Sequence, residues 1–396
     1  MSSTVQRLRI AHIITQLELG GAQQNTLYTI AHLNTETYEP ILICGSGGIL
    51  DDEAKAGSWP TYFVPTLVRP VRPWQDVIAG IKIYKLLRKI KPHVVHTHSS
   101  KAGIIGRIAA YFAGVPVIIH TFHGFGFTPG QPEWMQRLFI QAERLCAHLS
   151  THLVFVSEDN QEEALALGIT GEKPTSLIRS GILIQETPRS PAIREELGIA
   201  STAWIVLSVG NFKPQKNPMD LVKTAKAILT QDSTIHFVFV GDGELRSSVE
   251  EAAQKEGIAQ NLHFMGWRKD IPQILAASDS FLLTSLWEGL PRAIVEASVA
   301  RVPSVAYAVN GVKDILKEGE TGFPIPPHQF ELAAEKLLWL KNHPEEARRI
   351  GQKARARVET EFNIDNMVRQ QENLYKSLYD AVPLKLYYEP LWNNPL

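Results

Sequence analysis

The pattern with the most chemical content is Glu288-Gly289-Leu290-Pro291-Arg292-Ala293-Ile294-Val295-Glu296. It follows an apolar run at 281–284 and leads into a helical pattern opened by Pro291. The N–H groups of Gly289 and Leu290 then lack intrahelical acceptors, and such a helix start attracts anions. Carboxylates accept hydrogen bonds from hydroxyls, so Glu288 and Glu296 beside an anion site suit a phosphorylated sugar or a ribose. The same acids also suit a plain helix start, where negative charge is favoured.

A second stretch, Gly210-Asn211-Phe212-Lys213-Pro214-Gln215-Lys216, follows another apolar run. Two lysines at the carboxyl end of a strand can neutralise a diphosphate, although loop lysines are often merely solvated. Gly20-Gly21-Ala22-Gln23 lies at the first strand-to-helix turn. Glycines there let a backbone approach a phosphate closely, and they are also ordinary turn residues. In His120-Thr121-Phe122-His123-Gly124-Phe125-Gly126 a strand ends and a glycine-rich loop begins. His123 can bond a sugar or a developing charge, or can be satisfied by backbone. His96 and His98 end another strand of the same sheet. No His-x3-His pair or carboxylate at ligand spacing accompanies them, so no metal is expected. There is no Gly-x4-Gly-Lys-Ser/Thr loop, His-Glu-x2-His, Gly-x-Ser-x-Gly or Asp-x-Asp motif. Lysines and helix starts are left to neutralise the diphosphate.

These residues sit between alternating strands and helices. The apolar runs predict strands at 9–14, 40–44, 61–64, 94–97, 117–121 and 153–156, with helices at 21–33, 77–90, 102–113 and 133–149. A polar stretch with two prolines at 184–192 reads as a linker. The alternation then restarts, with strands at 204–210, 236–240, 262–265, 280–284 and 304–306. Continuous apolar strands joined by helices imply buried parallel sheets, and hence a doubly wound α/β architecture. A last helix is predicted over 364–380.

At 396 residues the chain is too long for one ordinary core, and two domains are expected. Its 44% hydrophobic and 20% charged content is that of a globular protein, and a net charge of −1 gives no general attraction to nucleic acid. Cys44 and Cys146 lie in apolar settings, which excludes a disulfide scaffold and fits a reducing cytoplasm. The polar first residues carry no signal-peptide core, and no apolar run is long enough to span a bilayer. Arg69, Arg72, Lys82, Lys85, Arg88, Lys89 and Lys91 interleave with apolar residues near Trp74. That pattern suits either an ordinary surface helix or one lying on an anionic membrane.

Together these residues resemble a retaining glycosyltransferase of family 4, one of the group 1 glycosyltransferases on the GT-B fold. The resemblance rests on Gly20-Gly21-Ala22, the run from His96 to Gly103, Phe122-His123-Gly124, Gly210 to Lys216, Gly241-Asp242-Gly243-Glu244 and the Glu288…Glu296 motif. It implies two Rossmann-like domains facing each other across a cleft. Residues 1–188 would bind the acceptor and 189–363 the donor, and 364–396 would pack back on the first domain. It implies a nucleotide-diphosphate sugar as donor, with uridine as the base, and a glycan or lipid-linked acceptor for surface polysaccharide. No cofactor and no metal are implied.

By position, Glu296 would hold the ribose. Lys216 would bind the diphosphate with Gly20, Gly21, Gly210 and the backbone of Gly289 and Leu290. Glu288 would contact the donor sugar, and His123 would sit by the reacting sugar. One departure is Asn211, where the family usually carries arginine. A nucleotide-sugar 2-epimerase and a non-catalytic nucleotide-sugar sensor are the rival readings.

Overall fold

The computed structural model describes residues 7–18, 20–127 and 130–382. Among these, the first parallel sheet contains β1 (Leu8–Ile14), β2 (Tyr38–Cys44), β3 (Thr61–Phe63), β4 (Val94–His98), β5 (Val117–Phe122), β6 (His152–Phe155) and β7 (Thr175–Leu177). The second contains β8 (Trp204–Val209), β9 (Ile235–Val240), β10 (Leu262–Phe264), β11 (Ser280–Leu283), β12 (Ser304–Tyr307) and β13 (Phe323–Ile325). The orders are β3-β2-β1-β4-β5-β6-β7 and β10-β9-β8-β11-β12-β13. The two sheets therefore repeat one doubly wound topology. In each, the order reverses beside the sheet's first strand, between β1 and β4 and between β8 and β11. Brändén's rule places ligands at such reversals, beyond the carboxyl ends of the strands.

The strands form because both of their faces are covered. Ile10, Ala11, Ile13 and Ile14 of β1 are fully buried, as are Phe281 and Val305 of β11 and β12. Burying one such large apolar side chain contributes about 1.5–3 kcal/mol, so a sheet of them favours helices on both faces. The helices Pro73–Ile90 and Ser100–Ala113 cover the first sheet with Ala79, Ile83, Leu87, Ala102 and Ala109.

The chain divides into two compact units, cut at 181/182 and again at 363/364. The first cut falls before the expected boundary at 188/189, and the proline-containing stretch lies inside the second unit. The reason is local. Ile182 donates its N–H to Phe362 and buries its side chain with the second core. The helix Ile364–Asp380 belongs to the first unit. Its Met367, Val368 and Tyr375 pack with Ile10, Val94, Val117 and Ile119. Residues 383–396 of the expected tail lie outside the described residues.

Candidate functional site

In the second unit, two loops leave the switch-point strands and are tied to each other. After β8, Gly210 leads into a single turn, Pro214–Lys216, which Pro214 starts. Asn217 then takes a left-handed conformation, φ 45°, and Pro218 opens the helix Pro218–Leu229. Asn tolerates that conformation better than most residues. Its amide donates to Asp220 at 2.7 Å, and Tyr307 donates to the same oxygen at 2.8 Å. Burial pushes the Asp220 carboxyl up. Hydrogen bonds from Lys223, Tyr307 and Asn217 outweigh it and hold the group below its ordinary range.

The reversal at Asn217 turns Lys216 toward the loop that follows β11. There Lys216 Nζ lies 2.5 Å from Glu288 Oε1. Four further bonds fix the loops. Leu286 N–H donates to Gln215 O, Gln215 Nε2 donates to Trp287 O, and the Thr284 hydroxyl reaches the carbonyls of Lys216 and Asn217. The loop then runs through Gly289 and Leu290 into the helix Arg292–Val299, whose cap is Pro291. Among the described residues no acceptor meets the N–H of Gly289 or Leu290. The structure thus sets one lysine and two open amides within one tied pair of loops, beside a helix start. Glu296 is held by Arg292, whose Nε lies 2.7 Å from Oε1.

Two glycines back these loops. Gly241 has φ 134°, and a Cβ on it would lie 2.1 Å from the Gly210 carbonyl oxygen. Gly311 has φ 70°, and its Cβ would lie 2.0 Å from Gly289 O. Only glycine allows both the backbone and the approach. Asn211 lines a small cavity with Gly210 and Lys216, and its side chain shows no hydrogen bond among the described residues.

In the first unit, Gly20 caps the helix Gly21–His32 in an extended conformation, and no side chain caps the helix start. His123 follows β5. Its Nε2 lies 3.2 Å from Nδ1 of His98, and His98 Nε2 lies 3.1 Å from Nδ1 of His12. His96 is held by Tyr375 and Thr121, both at 2.7 Å. Burial pushes His12 down to about 3 and His123 down to about 4. It also holds His96 and His98 well below the ordinary range, with neighbouring histidines adding to the effect. His12, His96 and His98 bring three nitrogens within 4.8 Å of one another. Both nitrogens of His96 and of His98 are already hydrogen-bonded, so the cluster reads as a polar network.

Comparison with known proteins matches both units to family models. The family model for glycosyl transferases group 1 matches residues 189–357, and that for glycosyltransferase family 4 matches residues 19–184. A UDP-Gal:alpha-D-GlcNAc-diphosphoundecaprenol alpha-1,3-galactosyltransferase of Escherichia coli is 34% identical over 390 residues, covering 95% of this chain and 98% of its own. The chain belongs to the group 1 glycosyltransferases. Another relative of this glycosyltransferase is the Staphylococcus aureus capsular polysaccharide biosynthesis glycosyltransferase CapM, 23% identical over 78% of this chain and 83% of its own. Among solved structures, Anabaena Alr3699/HepE in complex with UDP and glucose superposes with a TM-score of 0.80 at 20% identity, covering 94% of this chain and all of that one. Sucrose-phosphate synthase from Thermosynechococcus elongatus gives 0.78 at 18% identity, covering 95% and 100%. The fold is GT-B.

The glycosyltransferase thus brings Lys216, Glu288, Gly289 and Leu290 together, and gives Glu296 and His123 separate partners. Sequence reasoning missed His12, Tyr375 and Arg292. A histidine inside the apolar run of β1 was the signal for His12. Arginine four residues before Glu296, at a helix start where cations are disfavoured, was the signal for Arg292. Among the described residues no helix is long and apolar enough to cross a membrane.

Proposed function

We propose that this glycosyltransferase moves a sugar, with retention of anomeric configuration, from a UDP-linked donor to a hydroxyl of a lipid-linked glycan in surface polysaccharide biosynthesis. The observation that carries the proposal is the tied loop pair, with Lys216 beside the open amides of Gly289 and Leu290. A charge, two N–H donors and a helix start form a preorganised receptor for a departing diphosphate. Glu296 would accept from the ribose hydroxyls and Glu288 from the donor sugar. Gly210 and Asn211 would line the same pocket. Gly20, Gly21 and His123 would supply the first unit's contacts. The names of the relatives support the substrate classes.

In this reaction the bond from the anomeric carbon to the phosphate oxygen breaks, and its electron pair leaves with the diphosphate. The acceptor oxygen bonds the same face of the carbon, and its proton passes to the departing phosphate. Lysine and amides carry the developing charge, with no metal or cofactor in any step. Lys216 must leave Glu288 to reach the diphosphate, and that frees the Glu288 carboxylate for sugar hydroxyls.

The acceptor side rests on the helix Pro73–Ile90. Trp74 is 84% exposed, and Val77, Ile78 and Ile81 are exposed near Lys82, Lys85 and Lys89. A groove of about 580 Å³ beside them is lined by Val77, Ile81, Ile105, Ile108 and Phe112. Apolar and cationic residues on one surface suit the cytoplasmic face of an anionic membrane. Transfer from UDP-sugars to a lipid-linked acceptor, assayed with Lys216→Ala and Glu296→Ala, tests the site. Wild-type rates in both variants would refute it. Flotation with anionic and neutral vesicles tests the membrane face, and equal binding to both would rule out charge attraction.

A further inference from the structure

The line of imidazoles from His12 through His98 to His123 carries more information than the reaction above uses. The ring planes of His12 and His98 are nearly parallel, 7° apart, with Nδ1 of one 3.1 Å from Nε2 of the other. Both rings are fully enclosed, and burial holds all three histidines neutral. A neutral imidazole has one N–H and one lone pair. His98 uses both of its nitrogens, so it must donate on one side and accept on the other. Only two proton arrangements satisfy the whole line.

In the first, His12 Nδ1–H donates to His98 Nε2, and His98 Nδ1–H donates to His123 Nε2. His123 then keeps its own proton on Nδ1. In the second, every proton sits on the opposite nitrogen, and His12 carries its proton on Nε2. His12 Nε2 is buried and has no hydrogen-bond partner. The choice is therefore between a bare lone pair and a bare N–H at that point. Buried N–H groups without an acceptor are the rarer in folded proteins, and leaving a donor unmet carries its desolvation cost. The first arrangement is the one this interior favours.

We infer that His98 and His12 are positioning residues that lock His123 in the Nδ1–H tautomer, so that it meets the nucleotide sugar as a hydrogen-bond donor and not as a base. Among the described residues, no side chain or backbone group bonds His123 Nδ1. Its N–H suits a ligand oxygen with lone pairs to share, as on a diphosphate or a sugar. Its only lone pair points into the protein and is filled by His98. His123 then takes no proton from the acceptor hydroxyl, in keeping with transfer of that proton to the phosphate. The inference rests on the placement of His123 in the donor site.

The test reads protons directly. Full-length protein with nitrogen-labelled histidine is examined by two-bond proton–nitrogen correlation, and the His123 signals are assigned by their loss in His123→Gln. The expected spectrum has a protonated Nδ1 and an unprotonated Nε2. A wild-type His123 protonated at Nε2 overturns the inference without any variant. In His12→Phe the unmet nitrogen becomes His98 Nε2, the same preference leaves it a bare lone pair, and His123 keeps its proton on Nδ1. In His12→Asp the carboxylate accepts from His98 Nε2–H, the line reverses, and the His123 proton moves to Nε2. A His12→Phe protein whose His123 shifts to Nε2–H, or a His12→Asp protein whose His123 keeps Nδ1–H, also overturns the inference. The spectrum is recorded without ligand. A failed transfer assay therefore counts against the proposed reaction alone, and a wrong tautomer with transfer intact counts against the lock alone.

Discussion

Below the carboxyl ends of β4 and β5, polarity is carried by neutral rings bonded to one another and to Tyr375 and Thr121. Beyond β8 and β11 it is carried by ion pairs, Lys216 with Glu288 and Arg292 with Glu296. The two sheets share a strand order, so topology does not impose the difference. The first arrangement holds a fixed geometry inside a dry interior, where a charge would be costly. The second keeps charge at a half-open loop, where an incoming anion can exchange for Glu288. One region is built to stay as it is, and the other to swap partners.

The largest effect that separates them is acid. His12 falls to about 3 and His123 to about 4, and His96 and His98 are held low, against 6.5 for the ordinary group. Below pH 6.5 the unfolded chain binds protons that the folded first unit refuses, so stability falls as pH falls. Each such histidine contributes a slope of about 1.4 kcal/mol per pH unit until its folded pKa is reached. Hydrogen exchange between pH 7 and pH 5 should show the first unit losing protection before the second. Simultaneous loss would erase the contrast.

Next in size is Lys216→Ala, which should lower kcat/KM by about 10²–10³, as for the loss of one preorganised charge-stabilising group. A drop below tenfold would mean that the amides carry the diphosphate alone. Tyr375→Phe removes the hydroxyl that bonds His96 Nδ1 and leaves a buried nitrogen unmet, at a cost of about 1–3 kcal/mol. Thermal unfolding should locate that loss in the first unit. Gly311→Ala forces a left-handed residue, about 1–2 kcal/mol by itself, and its Cβ must also displace the Gly289 carbonyl 2.0 Å away. Its signature should be weaker UDP binding, with the first unit's melting unchanged.

The long apolar runs made most of both sheets legible. β7 and β13 were not, because Thr175-Ser176-Leu177 holds one apolar residue and Pro324 interrupts Phe323–Ile325, whereas the equally short edge strands β3 and β10 lie within more apolar runs. The helix Pro344–Glu361 was also missed. It buries only a narrow line of Ala347, Ile350, Ala354 and Val358 beneath a heavily charged surface. In the site, Glu288 and Glu296 stood out because their spacing is local. The bond between Lys216 and Glu288 joins residues 72 positions apart, and only the adjacency of β8 and β11 creates it. The bond between His96 and Tyr375 spans 279 positions and crosses the whole second unit, so no local pattern could announce it.

That last bond has a consequence for biosynthesis. A chain leaving the ribosome has made every strand of the first sheet by Leu177, yet His96 must wait for Tyr375. Meanwhile the second unit emerges as one uninterrupted segment and has all it needs to close. Domains usually mature in the order of their translation. Here the half made first is finished last, and His96 stays uncapped until the helix Ile364–Asp380 clears the exit tunnel.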